Sequence, residues 1–96
     1  MSRAFVNEDA ASEPEPRYTL PDRDSPYYDE AAARVLLEGA DAGNTRSAEK
    51  ATGYAWGDPV LVEHMRALME EAAEMGDERG VRLARRYLRK ADGPGP

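Results

Sequence analysis

Ninety-six residues with a formal net charge of −6 and a pI of about 4.8 allow one domain at most, and they argue against non-specific nucleic-acid binding by the surface as a whole. The chain has no cysteine, which excludes disulfides and thiolate chemistry. No apolar run approaches the ~20 residues that span a bilayer, and the first residues lack a secretory h-region, so the cytoplasm is the expected compartment.

Residues 1–24 hold Pro14, Pro16 and Pro21, six acidic and three basic side chains, and few apolar ones. Such a segment buries too little surface to offset its ordering entropy, so a disordered or extended acidic arm is expected, dispensable for the fold. Its apolar spots are Phe5-Val6 and the stretch from Tyr18 to Leu20. Two readings stand: a solvated tail, or a short peptide that docks on a partner or on the chain's own helices. Ser2-Arg3-Ala4-Phe5-Val6, followed by Glu8-Asp9 and an acidic, Pro-containing stretch, resembles the leader of some bacterial proteins related to Gre-type transcript-cleavage factors. The resemblance spans about residues 2–9. It implies a leader that touches a larger partner through Phe5 and Val6.

Ser25-Pro26 is expected to open the first helix, as a cap followed by proline at the first helical position. Asp29 and Glu30 suit its first turn, where the helix dipole favours negative charge. Tyr28, Ala31, Ala32, Val35 and Leu36 supply an apolar face. Gly39-Ala40-Asp41-Ala42-Gly43 reads as a loop. Asn44 or Thr45 then caps a short helix that runs to about Thr52 and ends at Gly53. Tyr54-Ala55-Trp56-Gly57 reads as a turn, with Trp56 plugging the end of the helical core, because a chain this small rarely leaves tryptophan exposed.

The stretch 58–91 reads as two helices joined by a very short turn. Asp58 caps the first and Pro59 takes its first position. Leu61, Met65, Leu68, Ala72 and Met75 recur at helical spacing, with Val62 and Met69 beside them, and give one apolar face. Glu63, Glu70, Glu71 and Glu74 lie roughly opposite. Gly76 ends this helix and Asp77 caps the next. There Val81, Ala84, Leu88 and Ala91 form one line with Leu83 and Tyr87 beside it, while Arg79, Arg82, Arg86, Arg89 and Lys90 occupy the other side. So short a connection predicts an antiparallel helical hairpin, its apolar seam flanked by acidic–basic pairs. Residues 93–96 form a Gly/Pro tail.

The residue inventory gives little support for catalysis or metal binding. His64 is the only histidine, so a zinc site lacks its usual ligands, and its place at the border of the apolar stripe fits a boundary residue. The window 38–49 has Gly43 and a terminal Glu49 where a calcium loop has them, but Ala40 and Ala42 supply no ligand oxygen. Ser25 and Ser47 read as helix-end residues rather than nucleophiles. Glu70, Glu71 and Glu74 read as a solvated face rather than an acid/base pair. No Gly-Lys-Ser/Thr phosphate loop is present. A helix-turn-helix over 49–65 would present Asp58, Glu63, Glu70 and Glu71 to phosphates and repel them.

The last helix is the strongest candidate surface. Residues 77–91 carry six basic and two acidic side chains, a local charge of +4. Arg79, Arg82, Arg86 and Arg89 recur at three, four and three residues along one side. Their expected use is internal pairing with the acidic helices; the alternative is an outward binding stripe.

Together these features predict an all-α bundle of three to four helices over 25–92, built on the C-terminal hairpin. The expected function is a non-enzymatic protein-interaction or regulatory module without cofactor or metal, a monomer or weak homodimer with a protein partner. The candidate contacts are Phe5, Val6, Arg79, Arg82, Arg86 and Arg89. The alternative is a transcription-complex or nucleic-acid accessory factor using the arginines.

Overall fold

Local signals place several of the helix ends. The computed structural model describes residues 18–93. It contains α1 (Tyr28–Ala42), α2 (Thr45–Thr52), a 3-10 turn (Pro59–Leu61), α3 (Val62–Glu74) and α4 (Glu78–Asp92), with no strand among the described residues. These helices form a small all-α bundle.

Ser25-Pro26 acts one turn earlier than expected. The Ser25 hydroxyl accepts the Tyr27 N–H at 3.0 Å and the Ser25 carbonyl accepts the Tyr28 N–H at 3.1 Å, so the pair shapes a turn ahead of α1. The 39–43 loop is not there: α1 continues through Gly39 to Ala42, and Gly43 ends it with a φ of 77°. Gly39 is buried because α2 crosses directly over it. A β-carbon at this position would lie 2.5 Å from the Ala48 β-carbon, so its absence lets the two helices touch. Asn44 precedes α2 without a side-chain cap bond, and Gly53 closes α2 as expected.

Asp58 caps the next segment as expected, accepting the Val60 N–H at 3.0 Å, but the first turn is 3-10 before α3 begins. The end of α3 is a Schellman closure: the Gly76 N–H reaches the Ala73 carbonyl at 3.2 Å and the Asp77 N–H reaches the Ala72 carbonyl at 2.8 Å. Asp77 then accepts the Gly80 N–H at 2.9 Å and starts α4. This three-residue join is compatible with the expected hairpin, and α3 and α4 pack more extensively on each other than any other pair of elements does.

The core draws on every helix. Leu36, Leu61, Met65 and Tyr87 are completely buried, with Ala32, Ala33, Ala48 and Ala84 between them. One expectation about this face fails and another shifts. Met75 stands 74% exposed, because α3 has already ended at Glu74 and Met75 belongs to the turn. In α4 the buried line is Leu83, Ala84 and Tyr87, while Val81, Leu88 and Ala91 are only half-buried. Tyr18 and Leu20, read as part of a dispensable arm, pack against the core. Trp56 does close the end of the core, set edge-on to Tyr87 with ring centroids 4.9 Å apart. No helix among the described residues is long and apolar enough to cross a membrane.

Candidate functional site

The outer face of α4 is positioned by what its inner face holds. Tyr87 is buried, and its hydroxyl donates to the Asp58 carbonyl at 2.7 Å. Loss of hydration, with the Asp58 carboxylate adding repulsion, pushes the Tyr87 phenol up to about 12. One turn on, the Lys90 stem lies over Gly57, in the space that a β-carbon there would fill. These contacts fix the C-terminal half of α4 against the 54–58 turn.

That turn is itself tied to α1 and α2. Tyr28 donates to the Thr52 carbonyl at 2.8 Å, and Tyr54 donates to Asp29 at 2.5 Å. The hydrogen bond to Asp29 and partial burial raise the Tyr54 phenol above its ordinary value. Glu49 accepts the Trp56 backbone N–H at 2.8 Å. Four tyrosine and tryptophan side chains therefore gather at the end where α1 begins and α4 finishes. The three tyrosine hydroxyls are spent on carbonyls and a carboxylate, so this cluster is structural.

With that inner face anchored, the arginines of α4 point outward. The expected internal pairing holds only for Arg79. Its guanidinium binds the Asp41 carboxylate and reaches the Asp41 carbonyl at 3.1 Å, joining α4 to α1. The acidic row of α3 has other partners: Glu71 pairs with Arg34 of α1 at 3.0 Å, and Glu63 pairs with Arg66 of its own helix at 3.3 Å. No pair crosses the α3–α4 seam among the described residues. The side chains of Arg82, Arg86 and Arg89 are exposed and make no ion pair or hydrogen bond with any described residue. Arg85 joins them in the same condition. Sequence reading passed over it, although its spacing of three from Arg82 and four from Arg89 places it on the same stripe. With 77–91 at +4 in a chain of net charge −6, the remainder carries −10. The arginine stripe is thus a positive strip on an acidic molecule.

A concavity of about 390 Å³ lies between α1 and the α3–α4 pair. Leu37, Leu68 and Leu83 line it, and the Arg34–Glu71 and Arg79–Asp41 pairs border it. All four of these charged side chains are about half exposed, so each pair contributes only ~0.2–1 kcal/mol. Among the described residues no three His, Asp or Glu side chains converge as a metal site. His64 is half-buried on α3. Phe5 and Val6 lie outside the described residues.

Fold and surface together define a small acidic all-α bundle with one basic helix face. No family model, curated protein or solved structure matches the chain.

Proposed function

We propose that the protein is a non-enzymatic interaction module that takes an acidic segment of a partner protein along the outer face of α4. The observation that carries this reading is the stripe of Arg82, Arg85, Arg86 and Arg89, exposed and without an ionic partner among the described residues. Guanidinium groups suit bidentate contact with carboxylates, and two pairs at this spacing are enough to set the register of a short acidic peptide. A nucleic-acid backbone offers phosphates to the same groups, but it is long and uniformly charged. It would run past the stripe towards the rest of a chain that is acidic overall, where repulsion opposes it. A short acidic segment ends before it meets that surface. The cytoplasm and a monomeric or weakly dimeric state belong to the same proposal. So does a contact through Phe5 and Val6, the part played by the leader it resembles.

The test uses fluorescence anisotropy with a labelled Glu-rich peptide and with labelled single-stranded and duplex oligonucleotides, all at physiological salt. The expected result is salt-sensitive binding of the peptide alone. Arg82→Ala combined with Arg86→Ala should weaken it between about twofold and about thirtyfold, at ~0.2–1 kcal/mol per exposed pair. Oligonucleotide binding that the same double change abolishes would replace this reading with a nucleic-acid accessory role.

A further inference from the structure

The basic stripe has a candidate occupant within the chain itself. Residues 8–15 read Glu-Asp-Ala-Ala-Ser-Glu-Pro-Glu: four carboxylates in eight residues with no basic side chain among them. That is one carboxylate for each of Arg82, Arg85, Arg86 and Arg89. We propose that this acidic stretch docks in cis along the outer face of α4 and covers the arginine stripe until an acidic partner segment displaces it. This rests on the reading of the stripe as a carboxylate-binding face.

Two observations beyond the matching charge support the geometry. The first is where the described chain starts. Tyr18 and Leu20 are held on the core, and Arg23 stacks its guanidinium 5.5 Å from the Tyr28 ring centroid and against Gly53. Tyr28 and Gly53 belong to the end of the bundle where α4 finishes, since Tyr28 meets Tyr54 and Trp56 meets Tyr87 there. Arg23, five residues after Tyr18, therefore sits at the end of the bundle that holds the C-terminal half of α4. The second is reach. Ten residues, 8–17, lead from the start of the acidic stretch to Tyr18, enough for about 33 Å of extended chain, whereas a fifteen-residue helix is only about 22 Å long. The eight residues 8–15 span about 26 Å when extended, long enough to lie along the stripe.

Docking of this kind has a physical signature. A tethered segment acts at a millimolar effective concentration, so contacts too weak to measure between separate molecules fill the site when joined. The contact is ionic and exposed, so salt should release it: at about 1 M the Debye length falls to about 3 Å and the attraction is screened. For an acidic partner, the tethered segment is a competitor. It raises the affinity a partner must have and excludes weakly acidic ones.

The test is paramagnetic relaxation in the full chain. The protein has no cysteine, so Ser12→Cys supplies a unique nitroxide site in the middle of the acidic stretch. The expected result is broadening of amides along the outer face of α4, around Arg82, Arg85, Arg86 and Arg89, at low salt. The broadening should vanish at about 1 M salt. It should also vanish when Glu8→Gln, Asp9→Asn, Glu13→Gln and Glu15→Gln are combined, and again with Arg82→Ala and Arg86→Ala, which lie on an exposed face and leave the core intact. Absence of broadening on α4, or broadening unchanged by these neutralisations, overturns the docking. Chains that show no broadening but bind the acidic probe in trans keep the proposed function and lose only the docking. Broadening without any binding of the probe keeps the docking and removes the partner.

Discussion

Replacing Tyr87 tests the anchoring of α4 most sharply, because the side chain does two separable things. Its ring is fully buried and packs edge-on with Trp56, and its hydroxyl serves the Asp58 carbonyl at 2.7 Å. Tyr87→Phe removes only the hydroxyl. The Asp58 carbonyl keeps a second donor, the Leu61 N–H at 3.2 Å, so it is not orphaned. The loss should then be the net value of one hydrogen bond, ~0.5–1.5 kcal/mol, rather than the larger penalty of a buried unsatisfied carbonyl. In a domain of this size each kcal/mol moves the melting temperature by about 4–8 °C. Tyr87→Ala removes the ring as well and leaves a cavity, at ~3–5 kcal/mol. A domain this small has only ~3–5 kcal/mol of stability, so this variant should be largely unfolded near body temperature. Circular dichroism at 222 nm followed through thermal and urea unfolding reads both changes. The reasoning is refuted if Tyr87→Ala melts within a few degrees of the parent, or if the two variants lose equal stability.

Titration above neutrality should separate the tyrosines. Tyr87 is raised to about 12 and Tyr54 is raised as well, so in the folded chain both keep their protons beyond the unfolded value of 10. Their contribution to stability is therefore complete below pH 10 and is lost as pH rises towards 12, a fall that Tyr87→Phe should flatten when urea midpoints are compared across that window. Gly39→Ala should destabilise by ~1–3 kcal/mol in urea unfolding, because a new β-carbon would overlap Ala48 and neither atom has a rotamer to move to. Alanine at Gly43, where the surroundings are empty, should cost only the strain of its positive φ, and a larger loss there than at Gly39 would misplace the α1–α2 crossing. Deleting residues 1–22 strips Tyr18 and Leu20 from the core and should lower stability by ~1–3 kcal/mol, whereas deleting 1–17 spares them; equal melting temperatures for the two truncations would show that these contacts contribute nothing.

Helix capping and periodicity carry most of this fold in the sequence. Asp58-Pro59, Gly76-Asp77 and Gly53 act where their chemistry says they should, because a cap depends on residues within one turn of it. Gly39 misleads because glycine has two uses. Its place among small residues suggests a chain breaker, yet here it makes room for Ala48, nine residues away in sequence and on another helix. Met75 keeps the spacing of the apolar face, but it falls just past the last turn of α3, where the chain has already left the helical path. The arginine face shows the same limit in electrostatic form. Spacing alone places Arg79, Arg82, Arg86 and Arg89 on one side, and Arg85 with them. Which of them finds a carboxylate depends on where α1 crosses. Asp41 meets Arg79 from 38 residues away, and no pattern within α4 foretells it. Phe5 and Val6 gained no structural context.

The central claim is that acidic protein segments bind at the outer face of α4, and mapping where such a segment lands tests it directly. A Glu-rich peptide titrated into the 15N-labelled protein, followed through backbone amides and arginine Nε–Hε signals, gives that position residue by residue. The account predicts salt-sensitive shifts confined to Arg82, Arg85, Arg86 and Arg89 and the turns of α4 that bear them, with Arg34 and Arg79 little changed. Shifts centred on Leu37, Leu68 and Leu83 in the concavity beside α1, or no shifts at any peptide concentration, would contradict it.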